Sequence, residues 1–222
     1  MNVERACVTP ARSPLPYQMP GAGRWRLTPP AIAVGFRNGE QIYDQDDKAD
    51  RVYRVIRGTV RASRLLADGR RQVGGFYFEG DLFGVEAGDI RRYTAEALGA
   101  GCKVAAVWPC PSTAIDADAL ERLISEATRQ ELGRAQDHTA LLARTSACEK
   151  VATFLLILAN RFGPERIRLP MGRQDMADYL GITIETISRT LGRLQAEDIV
   201  EFRGCREFLV KRPGALERLA LS

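Results

Sequence analysis

The stretch Arg173 to Leu194, RQDMADYLGITIETISRTLGRL, leaves this chain few ways to fold. Met176, Ala177 and Leu180 put apolar groups on one face at helical spacing. Gly181 ends that helix where a left-handed backbone is needed, and Ile182 plugs the corner. Thr183 stands where it can cap a second helix, with Glu185 and Thr186 in its first turn, where negative charge is favoured. Ile184, Ile187, Leu191 and Leu194 give that helix a buried face, and Glu185, Ser188, Arg189 and Arg193 line the other. Small Ala177 lets the two helices cross closely, as a helix-turn-helix requires. An ordinary all-α core would explain the periodicity. It would not explain why the small residue, the glycine and the branched residue all fall where the motif needs them. The pair reads as a DNA-reading element.

The residues after Leu194 agree with this. Ile199 to Phe202, a turn at Arg203-Gly204 and the run Phe208 to Val210 predict a hairpin directly after the recognition helix, which is a wing. Arg203 and Arg206, near its tip, are placed to touch phosphates. Arg173, Thr183, Thr186 and Arg193 complete the expected backbone contacts. Basic and acidic residues nearly cancel between Arg168 and Arg212. DNA affinity must then come from where the arginines sit rather than from bulk charge.

The whole chain has 222 residues and a net charge of +4, enough for two small domains and mildly favourable for nucleic acid. No apolar run is long enough to span a bilayer and no N-terminal segment reads as a signal peptide, so a cytoplasmic protein without membrane partners is expected. The five cysteines, Cys7, Cys102, Cys110, Cys148 and Cys205, are scattered with no CxxC pair, which suits free thiols in a reducing compartment. The single histidine, His138, argues against a catalytic triad, a histidine-based metal site or a cupin-like enzyme, and no catalytic or metal-ligating set is assigned.

Residues 1–30 hold six of the eleven prolines and read as a poorly ordered arm that settles against the first domain near Trp25 and Leu27. Residues 31–112 show short β-type runs: Ile42-Tyr43, Val52 to Ile56 ending at Gly58, Thr59 to Leu66, a turn at Ala67-Asp68-Gly69, Arg71 to Phe78, Thr94–Leu98 and Lys103–Val107. They predict an antiparallel barrel or roll. Residues 113–145 carry a long helix from Ala114 to Leu142 and a hinge. Leu120, Leu123, Ile124 and Ala127, then Leu132, Ala135, Thr139 and Leu142, form a stripe longer than one roll can cover, so the helix is expected to pair with a second copy. His138 is expected to be a partly exposed polar side chain. Residues 146–222, opening with an apolar helix from Glu149 to Phe162, form the winged helix-turn-helix domain. The fold class is thus α+β.

With these elements in place, the chain resembles the CRP/FNR superfamily of bacterial transcription regulators from about residue 31 onward. The resemblance rests on VYRVIRGTVRASRLLADGRRQVGGFYFEGDLFG, the long helix, EKVATFLL and RQDMADYLGITIETISRTLGRLQ. It implies a cyclic-nucleotide-binding-like roll and a symmetric dimer. Members of the FNR and FixK type carry E-T-[IV]-S-R in the recognition helix, and here Glu185-Thr186-Ile187-Ser188-Arg189 matches. By that resemblance Glu185, Ser188 and Arg189 read base edges of a TTGAT-like half-site. An arginine can grip guanine with two bonds and a carboxylate can accept from a cytosine amino group. The dimer then asks for an inverted repeat with half-sites about one helical turn apart.

The sensor end departs from other branches of the superfamily. The region matching the cyclic-nucleotide cradle is Gly80 to Glu86 followed by Arg91-Arg92-Tyr93-Thr94, and the Arg-Ser step is absent. An iron–sulfur cluster needs four thiolates and the N-terminus offers only Cys7. A haem would require an axial pair such as Cys102 or Cys110 with His138, which nothing in the sequence supports. The FixK type, the same machine without a cofactor, is what remains. It implies a homodimeric activator that contacts RNA polymerase, downstream of an oxygen-sensing two-component system, on genes for microaerobic respiration, denitrification or nitrogen fixation. An effector-gated regulator binding a small molecule in the roll is the alternative, and repression rather than activation stays open. Cys205, between Gly204 and Arg206 with Arg203 near, invites a reading as a redox brake on binding; a small residue in a β-turn is the plainer one.

Overall fold

In the computed structural model, residues 33–107, 114–204 and 206–221 are described. The arm with Cys7, Trp25 and Leu27, and also Cys110, Cys205 and the side chain of Leu120, lie outside the described residues. Six antiparallel strands form the roll: β1 (Ala33–Phe36), β2 (Gln41–Tyr43), β3 (Val52–Leu65), β4 (Arg71–Phe78), β5 (Leu82–Phe83) and β6 (Thr94–Val107). Their path runs β1-β6-β3-β4, with β2 also on β6 and β5 on β3.

Two expectations change here. The runs on either side of Gly58 are one strand, and so are the runs on either side of Gly99–Gly101. The register between β3 and β6 slips between Val55 and Arg57 and again between Gly58 and Thr59, so the glycines mark bulges that bend long strands. Val55, Val60, Phe83, Ala95, Ala97 and Val104 fill the roll's interior.

Helix α1 (Ala114–Leu142) leaves the roll and serves two faces. Ala127, Glu131, Arg134, His138 and Leu141 recur at steps of three and four and face their own chain. The Tyr77 hydroxyl donates to Glu131 at 3.0 Å, Arg134 donates to the Leu82 carbonyl at 2.8 Å, and Ala127 and Leu141 are buried. Leu132, Ala135 and Thr139, roughly 100° around the helix, are exposed, with Leu142 half-buried beside them. The expected single stripe is therefore split: Ala127 is fully buried within its own chain, Leu123 and Ile124 are half-buried, and the open face begins beyond them. His138 is also corrected. It is buried, at 9% exposure, because its ring lies against Tyr179.

After the short link 143–146, Ser146 caps α2 (Ala147–Phe162) by accepting the Glu149 N–H at 3.1 Å. The rest comprises β7 (Ile167–Arg168), α3 (Arg173–Leu180), α4 (Ile184–Ala196), β8 (Val200–Phe202), β9 (Glu207–Val210) and α5 (Pro213–Ala220). The wing hairpin pairs Phe202 with Phe208, and β7 joins its far edge through Ile167 and Phe208. Helix α5, which hydrophobic periodicity does not separate from the wing, buries Ala215 and Leu216. The core of this region is not closed on itself. Val73, Phe76, Phe78 and Leu98 from the roll belong to the same apolar cluster as Phe154, Leu158, Met176 and Leu180.

Candidate nucleic-acid interface

The exposed side of α4 is prepared by the turn before it. Gly181 adopts φ 63° and ψ 39°, the left-handed conformation that a residue with a Cβ resists, and lets the chain reverse after Leu180. Thr183 is the N-cap of α4: its hydroxyl accepts the Thr186 N–H at 3.3 Å and lies 3.1 Å from the Thr186 hydroxyl. Such a cap contributes about 1 kcal/mol. Ile187, Leu191 and Leu194 are buried beneath α4, and Thr190 joins them.

Glu185, Arg189 and Arg193 are exposed on the opposite side and Ser188 is half-buried. Hydrogen bonds from its own backbone N–H and the Thr183 hydroxyl hold the Glu185 carboxyl below its ordinary pKa. It is therefore a ready acceptor. Arg173, at the start of α3, donates to the Ser188 hydroxyl at 3.2 Å, joining the first residue of one helix to the outer face of the other. Arg193 is paired with Glu197 at 2.7 Å. At the wing, Arg203 lies 3.2 Å from Glu201 and Arg206 donates to the Pro170 carbonyl at 3.0 Å. Among the described residues Arg189 has neither an ion pair nor a hydrogen bond from its guanidinium, so this arginine reaches out uncommitted.

The geometry adds residues that sequence reasoning alone misses. Asp175 and Asp178 lie on α3 and turn toward Arg61 and Arg71 of the roll. A sequence signal exists: carboxylates three apart on a helix expected to lie near phosphates make sense only if they answer cations of their own chain. Arg161 of α2 likewise pairs at 3.0 Å with Asp81, which is 1% exposed. Asp81 also accepts the Phe78 N–H at 2.9 Å, tying the turn after β4 to α2.

Comparison with known proteins matches residues 149–219 to the Crp-like helix-turn-helix domain and residues 33–126 to the cyclic nucleotide-binding domain. The nitrogen fixation regulation protein FixK of Rhizobium meliloti (strain 1021) is 38% identical over 201 residues, covering 87% of this chain and 89% of that protein. This chain is a FixK-type member of the CRP/FNR family. The FixK of Bradyrhizobium diazoefficiens is 41% identical over 169 residues, covering 73% of this chain and 71% of that protein. The solved structure of FixK2 from Bradyrhizobium japonicum superposes with a TM-score of 0.77 at 40% identity, covering 85% of this chain and 96% of that one. The family is one of DNA-binding transcription regulators, and among the described residues no helix is long and apolar enough to cross a membrane.

The family's second domain carries the name of a ligand, which can be tested against the residues present. Arg91, in the region matching the nucleotide cradle, is 1% exposed. It donates inward to the Gly84 carbonyl and, at 2.6 Å, to the Arg51 carbonyl, with its guanidinium 4.3 Å from the centre of the Tyr43 ring. Glu86 accepts the Arg92 N–H at 3.2 Å. Tyr43, Tyr53 and Tyr77 pack around Phe83, with ring centres 5.3 to 6.2 Å from it. Arg91 is thus spent on carbonyls with rings packed behind it, while Arg92, which with Glu86 would have to take the phosphate-holding role, is exposed.

Proposed function

We propose that this chain is a homodimeric, sequence-specific transcription activator that binds a TTGAT-N4-ATCAA-like inverted repeat without a cofactor. One observation carries this reading: Glu185, Ser188 and Arg189 of the matching segment lie on the outer side of the capped α4, which buried Ile187, Leu191 and Leu194 seat from beneath. Inserted in a major groove, Arg189 donates two bonds to guanine O6 and N7, Glu185 accepts from a cytosine amino group, and Ser188 fills the remaining base edge. Arg173, Thr183, Thr186, Arg193, Arg203 and Arg206 hold the phosphates on either side, which sets register but not sequence. The pairs that Arg193 and Arg203 make with Glu197 and Glu201 are exposed and weak, so these arginines exchange partners at little cost.

Dimerisation through the open face of α1, at Leu132, Ala135, Thr139 and Leu142, places two α4 helices on one side of the duplex. The inward-turned Arg91 and the packed roll support cofactor-independent binding. The relatives named for regulation of nitrogen fixation support targets of that kind; genes for microaerobic respiration or denitrification, and activation through contact with RNA polymerase, belong to the same proposal. The deciding experiment measures binding of the reduced protein, with no ligand added, to the inverted repeat and to a scrambled duplex across a salt series. Selective binding is expected; equal binding to both duplexes would overturn the proposal.

A second reading has its own observation. A cleft of about 1850 Å³ runs between the roll, α1 and α2, past Tyr77, Glu131, Arg134 and Arg161. Effector-gated binding would use it, and would show as selectivity that appears only on adding a small molecule.

A further inference from the structure

The roll meets the DNA-reading pair through an ion network of fixed geometry. Asp175 uses its two carboxylate oxygens for two purposes. Oδ2 accepts the Gly172 N–H at 3.0 Å and closes the first turn of α3, while Oδ1 accepts from Arg71 at 2.8 Å and from Arg61. Arg71 also donates from Nε to Asp178 at 2.7 Å, and the other Asp178 oxygen accepts from Gln174 at 2.7 Å. Arg61 spans the junction, bonding to Glu96 within the roll by one nitrogen and to Asp175 by the other. The Asp175 and Arg61 side chains are each 12% exposed. Beside the charges, the Phe76 ring of β4 packs against Tyr179 of α3 at 5.2 Å.

An apolar contact of this size would hold the two parts together but let them slide. A carboxylate shared between two arginines, as Asp175 is, accepts only one register, and registry is the best-attested use of buried charge. Helix α3 is in turn tied to α4 by the Gly181 turn and by the bond from Arg173 to Ser188. The network lies on α3 and leaves the exposed residues of α4 uncovered. The latched arrangement is thus one in which the reading face stays open.

We propose that Asp175 and Asp178 are positioning residues: through Arg61 and Arg71 they fix the stance of the recognition helix on the roll, so that the two copies in a dimer present their helices at the half-site spacing. This rests on the DNA-reading role of α4 proposed above. It makes the roll a rigid mount for the reader.

The test uses full-length protein carrying Arg71→Glu, Asp178→Arg or both, with binding measured on the inverted repeat and on a duplex of equal length holding one half-site. Each single change is expected to weaken binding to the inverted repeat by about tenfold, with much less effect on the half-site. Trypsin cleavage after Arg144 in the link is expected to quicken in both. The double exchange restores the pair with position 178 in the opposite sense but sets a carboxylate beside Asp175, so it should recover part of the affinity and of the resistance relative to either single change. A purely electrostatic effect on DNA would make Arg71→Glu weaken and Asp178→Arg strengthen binding to every duplex, and that pattern overturns the proposal. So does a lowered melting temperature with undiminished affinity per folded molecule. If either charge reversal fails to fold, Asp178→Asn and Arg71→Gln serve in its place, and unchanged binding to the inverted repeat in both would equally sink the idea. Should wild-type protein show no preference for the repeat, the DNA-reading assignment itself has failed, which is a separate outcome.

Discussion

The imidazole of His138 lies parallel to the Tyr179 ring with 4.1 Å between centres, and its Nε2 is 2.8 Å from the Tyr179 carbonyl oxygen. This contact joins α1, the proposed dimer helix, to the last turn of α3. Burial pulls the His138 pKa below its ordinary 6.5, while the carbonyl contact opposes that fall. The unfolded chain therefore takes up a proton at a higher pH than the folded one does. The stabilising contribution is complete above the ordinary value and is lost as pH falls through 6.5 toward the lower folded pKa. Burial raises the pKa of Asp137 on the same helix, and a raised carboxyl acts on stability in the opposite sense to the lowered histidine. Melting temperature should drop between pH 7.5 and 5.5 in the wild type. In His138→Phe, which keeps the stacking, the drop should be smaller. Parallel curves would mean that another group governs this range.

Reading and positioning should separate in two substitutions. Arg189→Ala is expected to cost about 1–3 kcal/mol on the cognate duplex and to relax the preference at the contacted guanine. Arg203→Ala should weaken cognate and scrambled duplexes alike and lower the salt slope by about one. Binding isotherms over a salt series distinguish the two, and identical behaviour would mean that the roles are wrongly divided.

Gly58 shows how a sequence signal can be sound while its reading fails. Its φ is +88°, and a Cβ there would collide with the Gly101 carbonyl oxygen and approach the Cys102 Cα to 2.8 Å. Both obstacles are backbone of the neighbouring strand, which cannot swing aside. Gly58→Ala should destabilise the roll by roughly 2–5 kcal/mol, summing left-handed strain and overpacking. Thermal unfolding followed by circular dichroism measures this, and a loss under about 1 kcal/mol would show that the strands can part there.

The same glycines explain what is and is not legible in the sequence. A glycine between apolar runs marks a turn or a bulge equally well, and only pairing with a distant strand decides which, so the sequence pattern divides β3 and β6 into two strands each. The helix-turn-helix is legible because its determinants are local. Gly181, Thr183 and the spacing of Ile187, Leu191 and Leu194 act within one short stretch. The Tyr179 partner of His138 and the Arg71 partner of Asp178 come from elsewhere in the chain, and no periodicity encodes them. The α1 stripe fails in part for a related reason. Ala127 is apolar and correctly spaced, but its own chain already buries it.

That division of α1 leads to a contrast between two substitutions. Leu132 is 58% exposed, on the side of the helix away from Glu131 and Arg134, which bind the roll. A carboxylate there costs the folded monomer little, but on a two-fold helix pair it would face its own copy across an apolar seam. Leu132→Glu should leave the melting profile of the monomer intact, shift the protein from dimer to monomer in sedimentation velocity, and lower affinity for the inverted repeat much more than for a single half-site. Ala127→Glu should do the reverse, because Ala127 is fully buried against its own chain and an uncompensated charge there disrupts packing before it affects association. If Leu132→Glu still sediments as a dimer, the open face of α1 is not the seam, and the spacing of the two recognition helices must be set elsewhere.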